Sequence, residues 1–220
     1  LFRSPYTYLC SAGVVFKLAH ALLKERKLKT FDLKLYLDLV AVATVADIVP
    51  LVDENRILVR HGLGRLAHSR HTGLKTLTEI AGIRPSDSAN HAGFLNAAHV
   101  GFRIGPRINA AGRLADMTLG IECLLTDDAA HALNIAQELD RLNRERKEIE
   151  SGMQEQALAH LGEADTQNAE APALVLFHPE WHQGVIGILA SRIKDKRHRP
   201  VFAFARGDET TADGELKGSG

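Results

Sequence analysis

The sequence predicts an α/β protein in two parts bridged by a long helix, and three features carry that expectation. Residues 173–205 read strand, helix, strand at the spacing of a βαβ unit. Residues 126–162 hold a single apolar stripe at helical period. Residues 38–51 form an apolar run that Asp47 closes and Pro50 stops, which puts a carboxylate near the end of an element, where α/β folds gather active-site groups.

Composition bounds the rest. A chain of 220 residues holds one large domain or two small ones, and 45% hydrophobic residues suffice for a packed core. Lys+Arg and Asp+Glu balance at 27 each, so a nucleic-acid partner would have to be held by local patches. Cys10 and Cys123 lie far apart in apolar sequence, which implies no disulfide framework and a reducing cytoplasm. No run reaches the length of a membrane span and no signal peptide opens the chain. The missing initiator Met and the ending at 217–220, in mid-strand or mid-turn, read as a piece of a longer protein.

In chain order, residues 10–27 carry Val14, Val15, Leu18, Ala19 and Leu22 at helical spacing before a basic last turn. In the 38–51 run, Asp38 sits in ordinary amphipathic context and reads as structural. Asp47 reads either as a metal ligand or general base, or as a helix cap. A helix is expected from Asp53 to Leu66, then a polar loop with solvated His68 and His71, then a short helix over Leu74, Leu77 and Ile80. His91 and His99 flank a helix and have no evident partner.

Residues 101–116, GFRIGPRINAAGRLAD, combine three glycines, Pro106, three arginines and Asn109. Because Gly105-Pro106 breaks regular structure, the stretch reads as a loop. Glycines let backbone approach a ligand and guanidinium forks grip phosphate oxygens in pairs, so the chemistry it suits is anion binding. An ordinary loop with solvated arginines is the alternative. The long helix after it is capped by Thr126 or Asp127, and its stripe runs through Leu133, Ala136, Leu139, Leu142, Ile149, Met153, Ala157 and Leu161. Four cations in 141–147 precede their glutamates, the less favourable order for helix pairs. Residues 163–172 form a polar linker. Beyond it a helix begins just after His182 and Gly184, so its free amides face that turn in the manner of a phosphate site. The triplet at 212–214 sits in a polar loop and is discounted as a metal site.

Three stretches in series, 38–51, 101–116 and 178–192 (HPEWHQGVIGILASR), resemble the single-stranded-DNA-specific exonucleases of the DHH phosphoesterase family. The resemblance covers essentially the whole chain. It implies an α/β fold: residues 1–125 as the C-terminal part of a DHH-type parallel-sheet catalytic domain, 126–165 as a connecting helix, and 172–220 as the start of a DHH-associated domain. It also implies 5′-to-3′ hydrolysis of single-stranded DNA to mononucleotides in repair and recombination, with Mg2+ or Mn2+. Asp47 matches a ligand of the metal pair. Arg107, Asn109 and Arg113 match a phosphate-holding stretch, and His182, Ser191 and Arg192 match a substrate-contacting motif of the associated domain. The family's other metal ligands would lie before residue 1, so this piece alone is expected to be inactive. Partners other than single-stranded DNA are not implied. The rival readings are another DHH phosphoesterase, acting on oligonucleotides or cyclic dinucleotides, and a catalytically dead DNA-binding scaffold.

Overall fold

The computed structural model describes residues 6–26, 30–83, 95–164, 171–207 and 215–220. The chain divides into two compact units, Leu1–Ala111 with Met117–Asp140, and Gly112–Asp116 with Arg141–Gly220. The expected α/β class holds, with the sheet in the second unit; among the described residues of the first unit there is no strand.

The first unit is built on α2 (Leu37–Ala46), whose sequence LDLVAVATVA is apolar nearly all round and therefore suits a buried helix. Val40, Ala41, Val42 and Thr44 are buried on it, and the Thr44 hydroxyl donates to the Val40 carbonyl at 2.6 Å. Helix α3 (Asp53–Leu66) lies against α2 at a separation only glycine permits. A Cβ on Gly62 would stand 2.1 Å from the Leu37 carbonyl oxygen. Helices α1 (Ser11–Arg26) and α4 (Thr72–Ile80) fall where the apolar spacing places them. Val15, Leu18 and Leu22 of α1 are exposed, however.

Asp38, 1% exposed, is the one charged residue buried among the described residues of this unit. Its carboxylate accepts from the Ser69 hydroxyl at 2.6 Å and from the Leu39 amide at 2.8 Å. His71 Nε2 stands 3.6 Å away with its side chain 14% exposed, and the imidazole packs on the Tyr36 ring. The expectation of a solvated His71 is thus corrected. A buried carboxylate needs hydrogen-bond donors, and the 69–71 segment folds back to supply the Ser69 hydroxyl and to set the His71 ring beside it. His99 also has a partner: Asn96 Oδ1 accepts from its amide at 2.9 Å, and its Nδ1 accepts from the Asn96 amide in return. His91 lies outside the described residues.

The long helix, α8 (Ala129–Ala164), has 36 residues and a length of about 54 Å. Asp128 caps it, accepting from the His131 amide at 2.6 Å, whereas the sequence pointed to Thr126 or Asp127; Thr126 instead holds the Asp128 amide. Alanines at 129 and 130 are strong helix formers, so the helix starts later than the first polar residue suggests. The expected stripe is buried at Ala136, Leu139, Leu142, Met153, Ala157 and Leu161, but Leu133 is exposed. Arg141 and Arg146 pair with Glu145 and Glu150 one turn on, at 2.8 and 2.7 Å.

In the second unit, β1 (Leu174–Phe177) and β2 (Val201–Arg206) pair in parallel across the crossover helix α9 (Ile186–Arg197), and β3 (Leu216–Ser219) adds antiparallel to β2. Alternate strand residues Leu174, Leu176, Val201, Ala203 and Ala205 pack with Leu189 and Ile193 of α9 and with Met153 and Ala157 of α8. Trp181 is buried in this core, and its indole donates to Gln156 Oε1 at 2.9 Å. The 212–214 triplet and residues 165–170 of the linker lie outside the described residues. Among the described residues no helix is long and apolar enough to cross a membrane. Both cysteines are buried and free, and burial pushes the Cys123 thiol up to about 11, which leaves it unreactive at neutral pH.

Candidate functional site

Asp47 stands at the C-cap of α2 with its backbone amide bonded to the Ala43 carbonyl at 2.9 Å. Its side chain is exposed, and no hydrogen bond to it occurs among the described residues. The buried carboxylate of this run is Asp38, at its other end. The backbone after Asp47 is strained: Ile48 has φ 56° and Asp53 φ 43°. A β-branched residue in the left-handed region costs about 1–3 kcal/mol unless its surroundings impose it. Here Asn55, fully buried, donates to the carbonyls of Pro50 at 3.0 Å and Tyr8 at 2.7 Å. The Tyr6 hydroxyl holds the Val52 carbonyl at 2.9 Å. The sequence gives no local sign of Asn55, since its partners lie 5 and 47 residues away.

Residues 101–116 are not the loop their composition suggested. The short helix α5 (Ala97–His99) widens into a π-helical turn, Val100–Ile104, and continues as α6 (Gly105–Leu114). Pro106 is the second residue of α6, directly after this wide turn. The wide turn before it lets the chain pass the proline ring without breaking, with the Gly105 amide bonded to the Val100 carbonyl. Beyond α6, helix α7 (Thr118–Leu125) was also not foreseen.

On α6, Arg107 places Nε and Nη2 each 2.9 Å from Oδ1 of Asp140. Nη1 donates to the Arg103 carbonyl. Asn109 is exposed on the same helix. Together with Asp47 it borders a cavity of about 420 Å³, whose wall includes Ala12, Val42, Ile108 and Leu125. The structure thus brings Asp47 and Asn109 to one cleft although 62 positions separate them in the chain. A further cleft of about 580 Å³ beside Arg56 and Arg60 contains none of the residues singled out from sequence.

In the second unit, Arg113 donates to the Gly184 carbonyl at 3.0 Å, and a Cβ on Gly184 would stand 2.2 Å from the Arg113 carbonyl oxygen. His182 organises the start of α9. Its Nδ1 accepts from the Gly184 amide at 3.1 Å, and its carbonyl accepts from Val185 and Ile186. The amides of residues 184–186 are therefore already engaged, because His182, four residues before α9, folds its ring nitrogen and its carbonyl onto them. Arg192 pairs with Glu150, Nε to Oε1 at 3.0 Å, and Glu150 is also held by Arg146. Ser191 is exposed at the edge of a cavity of about 610 Å³ that Lys194, His198 and Arg199 also border.

As a metal centre the described residues are incomplete. Asp47 offers a free carboxylate, but no group of three or more His, Cys, Asp or Glu able to hold an ion occurs among them.

The chain is 46% identical over 98% of its length to the single-stranded-DNA-specific exonuclease RecJ of Salmonella typhimurium, covering 37% of that protein. It is 36% identical to RecJ of Bacillus subtilis over 98% of this chain and 25% of that one. The crystal structure of RecJ in complex with Mg2+ from Thermus thermophilus superposes with a TM-score of 0.79 at 40% identity, over 94% of this chain and 30% of that one. A structure of exonuclease RecJ bound to manganese gives 0.77 at 40% identity, over 93% of this chain and 49% of that one. No family model matches the chain. The chain spans between a quarter and about half of the length of these relatives, and along its own length it corresponds to a segment of RecJ.

Proposed function

We propose that the protein carrying this segment hydrolyses single-stranded DNA from the 5′ end to mononucleotides, in DNA repair and recombination, in the cytoplasm and with Mg2+ or Mn2+. Residues 1–125 form the latter part of its catalytic domain, 126–165 the connecting helix and 172–220 part of the associated domain. The observation that carries this reading is the Asp47 carboxylate, without a partner among the described residues, on a strained turn beside Asn109 and a common cleft. Such strain collects where a side chain must be presented in a fixed way. The identity to RecJ along the chain supports it.

In this reading Asp47 gives one carboxylate to the metal centre, whose ions supply activated water and charge neutralisation when bound. Arg107 and Arg113 grip phosphates and Asn109 orients the strand at the cleft. His182, Ser191 and Arg192 contact the strand further along. The segment by itself holds one carboxylate of that centre and is inactive.

Binding of single strands by the complete protein, measured in EDTA, tests the arginines. Arg107→Ala and Arg113→Ala each weaken binding equally on dT and dA homopolymers and shrink the slope of log K against log salt by about 0.7. Lysine restores part of the affinity, because an ammonium cannot make a two-oxygen fork. An unchanged slope, or a loss confined to one base, rules the phosphate role out.

A further inference from the structure

Arg107 is not free to swing. Asp140 of α8 takes Nε and Nη2 on one oxygen at 2.9 Å each, and the Arg103 carbonyl takes Nη1. The pair is partly buried, with side chains 16% and 21% exposed. A guanidinium has five N–H donors; these contacts engage three and leave one on Nη1 and one on Nη2. Two such donors on neighbouring nitrogens suit two oxygens of a phosphate. A carboxylate is otherwise the wrong sign to keep beside a DNA-binding arginine. Its charge weakens the attraction of Arg107 for phosphate, whereas its two bonds fix the fork before DNA arrives and remove the cost of ordering a long side chain.

We propose that Asp140 is a positioning residue: it does not touch DNA but holds Arg107 in the orientation that grips a phosphate. This rests on the reading of Arg107 given above. The two effects of the Asp140 charge have opposite signs, so one substitution separates them. If Asp140 is only a nearby negative charge, removing it tightens DNA binding. If it positions Arg107, removing it loosens binding, and only while Arg107 is present.

The test is a double-mutant cycle in the complete protein, reading anisotropy of a labelled dT oligomer in EDTA and, separately, KM and kcat with Mn2+. Asp140→Asn weakens binding by about threefold to tenfold, a cost of the size expected for losing about one net hydrogen bond to the strand, and raises KM more than it lowers kcat. In the Arg107→Ala background the same change has no weakening effect. Asp140→Glu, which restores the charge, recovers part of the affinity and guards against a folding defect in the Asn variant. Tighter binding by Asp140→Asn, with Arg107→Ala still damaging, overturns the positioning role and leaves the phosphate role of Arg107 standing. Equal weakening in both backgrounds also overturns it, because the effect then does not pass through Arg107. If Arg107→Ala itself changes nothing, the reading of Arg107 fails first and the inference falls with it.

Discussion

Replacing Asp47 with alanine in the complete protein lowers nucleotide release from 5′-labelled single strands by about a thousandfold, or about 4 kcal/mol of transition-state stabilisation at 1.36 kcal/mol per decade. Stability stays within about 0.5 kcal/mol of the parent, the range for an exposed substitution that breaks no bond. The Asp47 carboxylate is exposed, with no hydrogen bond to it among the described residues, so its loss uncovers nothing. The helix terminates through backbone bonds that alanine keeps. Near-normal turnover with an unchanged melting curve would make Asp47 a helix terminus and nothing more. A large fall in melting temperature would instead mean that the side chain holds the turn.

Gly184→Ala is expected to have the second largest effect, and there the order is reversed: stability is hit first. The added methyl carbon would stand 2.2 Å from the Arg113 carbonyl oxygen and 3.0 Å from its carbon. Both neighbours are backbone, so the strain cannot be relieved by rotating a side chain. Overpacking of this kind costs about 1–3 kcal/mol. Separating the two strands of backbone also breaks the Arg113 bond to the Gly184 carbonyl. Single-strand affinity therefore falls together with melting temperature. Unchanged melting would mean that the 112–116 segment does not pack on the 182–185 turn in the complete protein.

Periodicity made much of this fold legible. The helices at 11–26, 53–66, 72–80 and 186–197 follow from apolar spacing, and the parallel pair β1 and β2 from two apolar runs flanking a helix. The 100–114 helix was not legible, because glycine and proline content argues against a helix unless the π-helical turn that admits Pro106 is foreseen. Tertiary partners decided the other differences. His71 is drawn out of solvent by Asp38, a residue 33 positions away in the chain. Asp140 matters because of Arg107, and the 33 positions between them carry no pattern. Asp47 was legible as the end of an apolar run, but the carboxylate that run buries is Asp38. Neither the exposure of Asp47 nor the strain at Ile48 can be read from residue types alone.

The most direct measurement is anomalous scattering from crystals of the complete protein grown with Mn2+. A manganese peak about 2–2.5 Å from a carboxylate oxygen of Asp47, within the range for hard cations on oxygen, and its disappearance in Asp47→Ala crystals, is the expected result. Manganese bound elsewhere, with none at Asp47, would contradict that role.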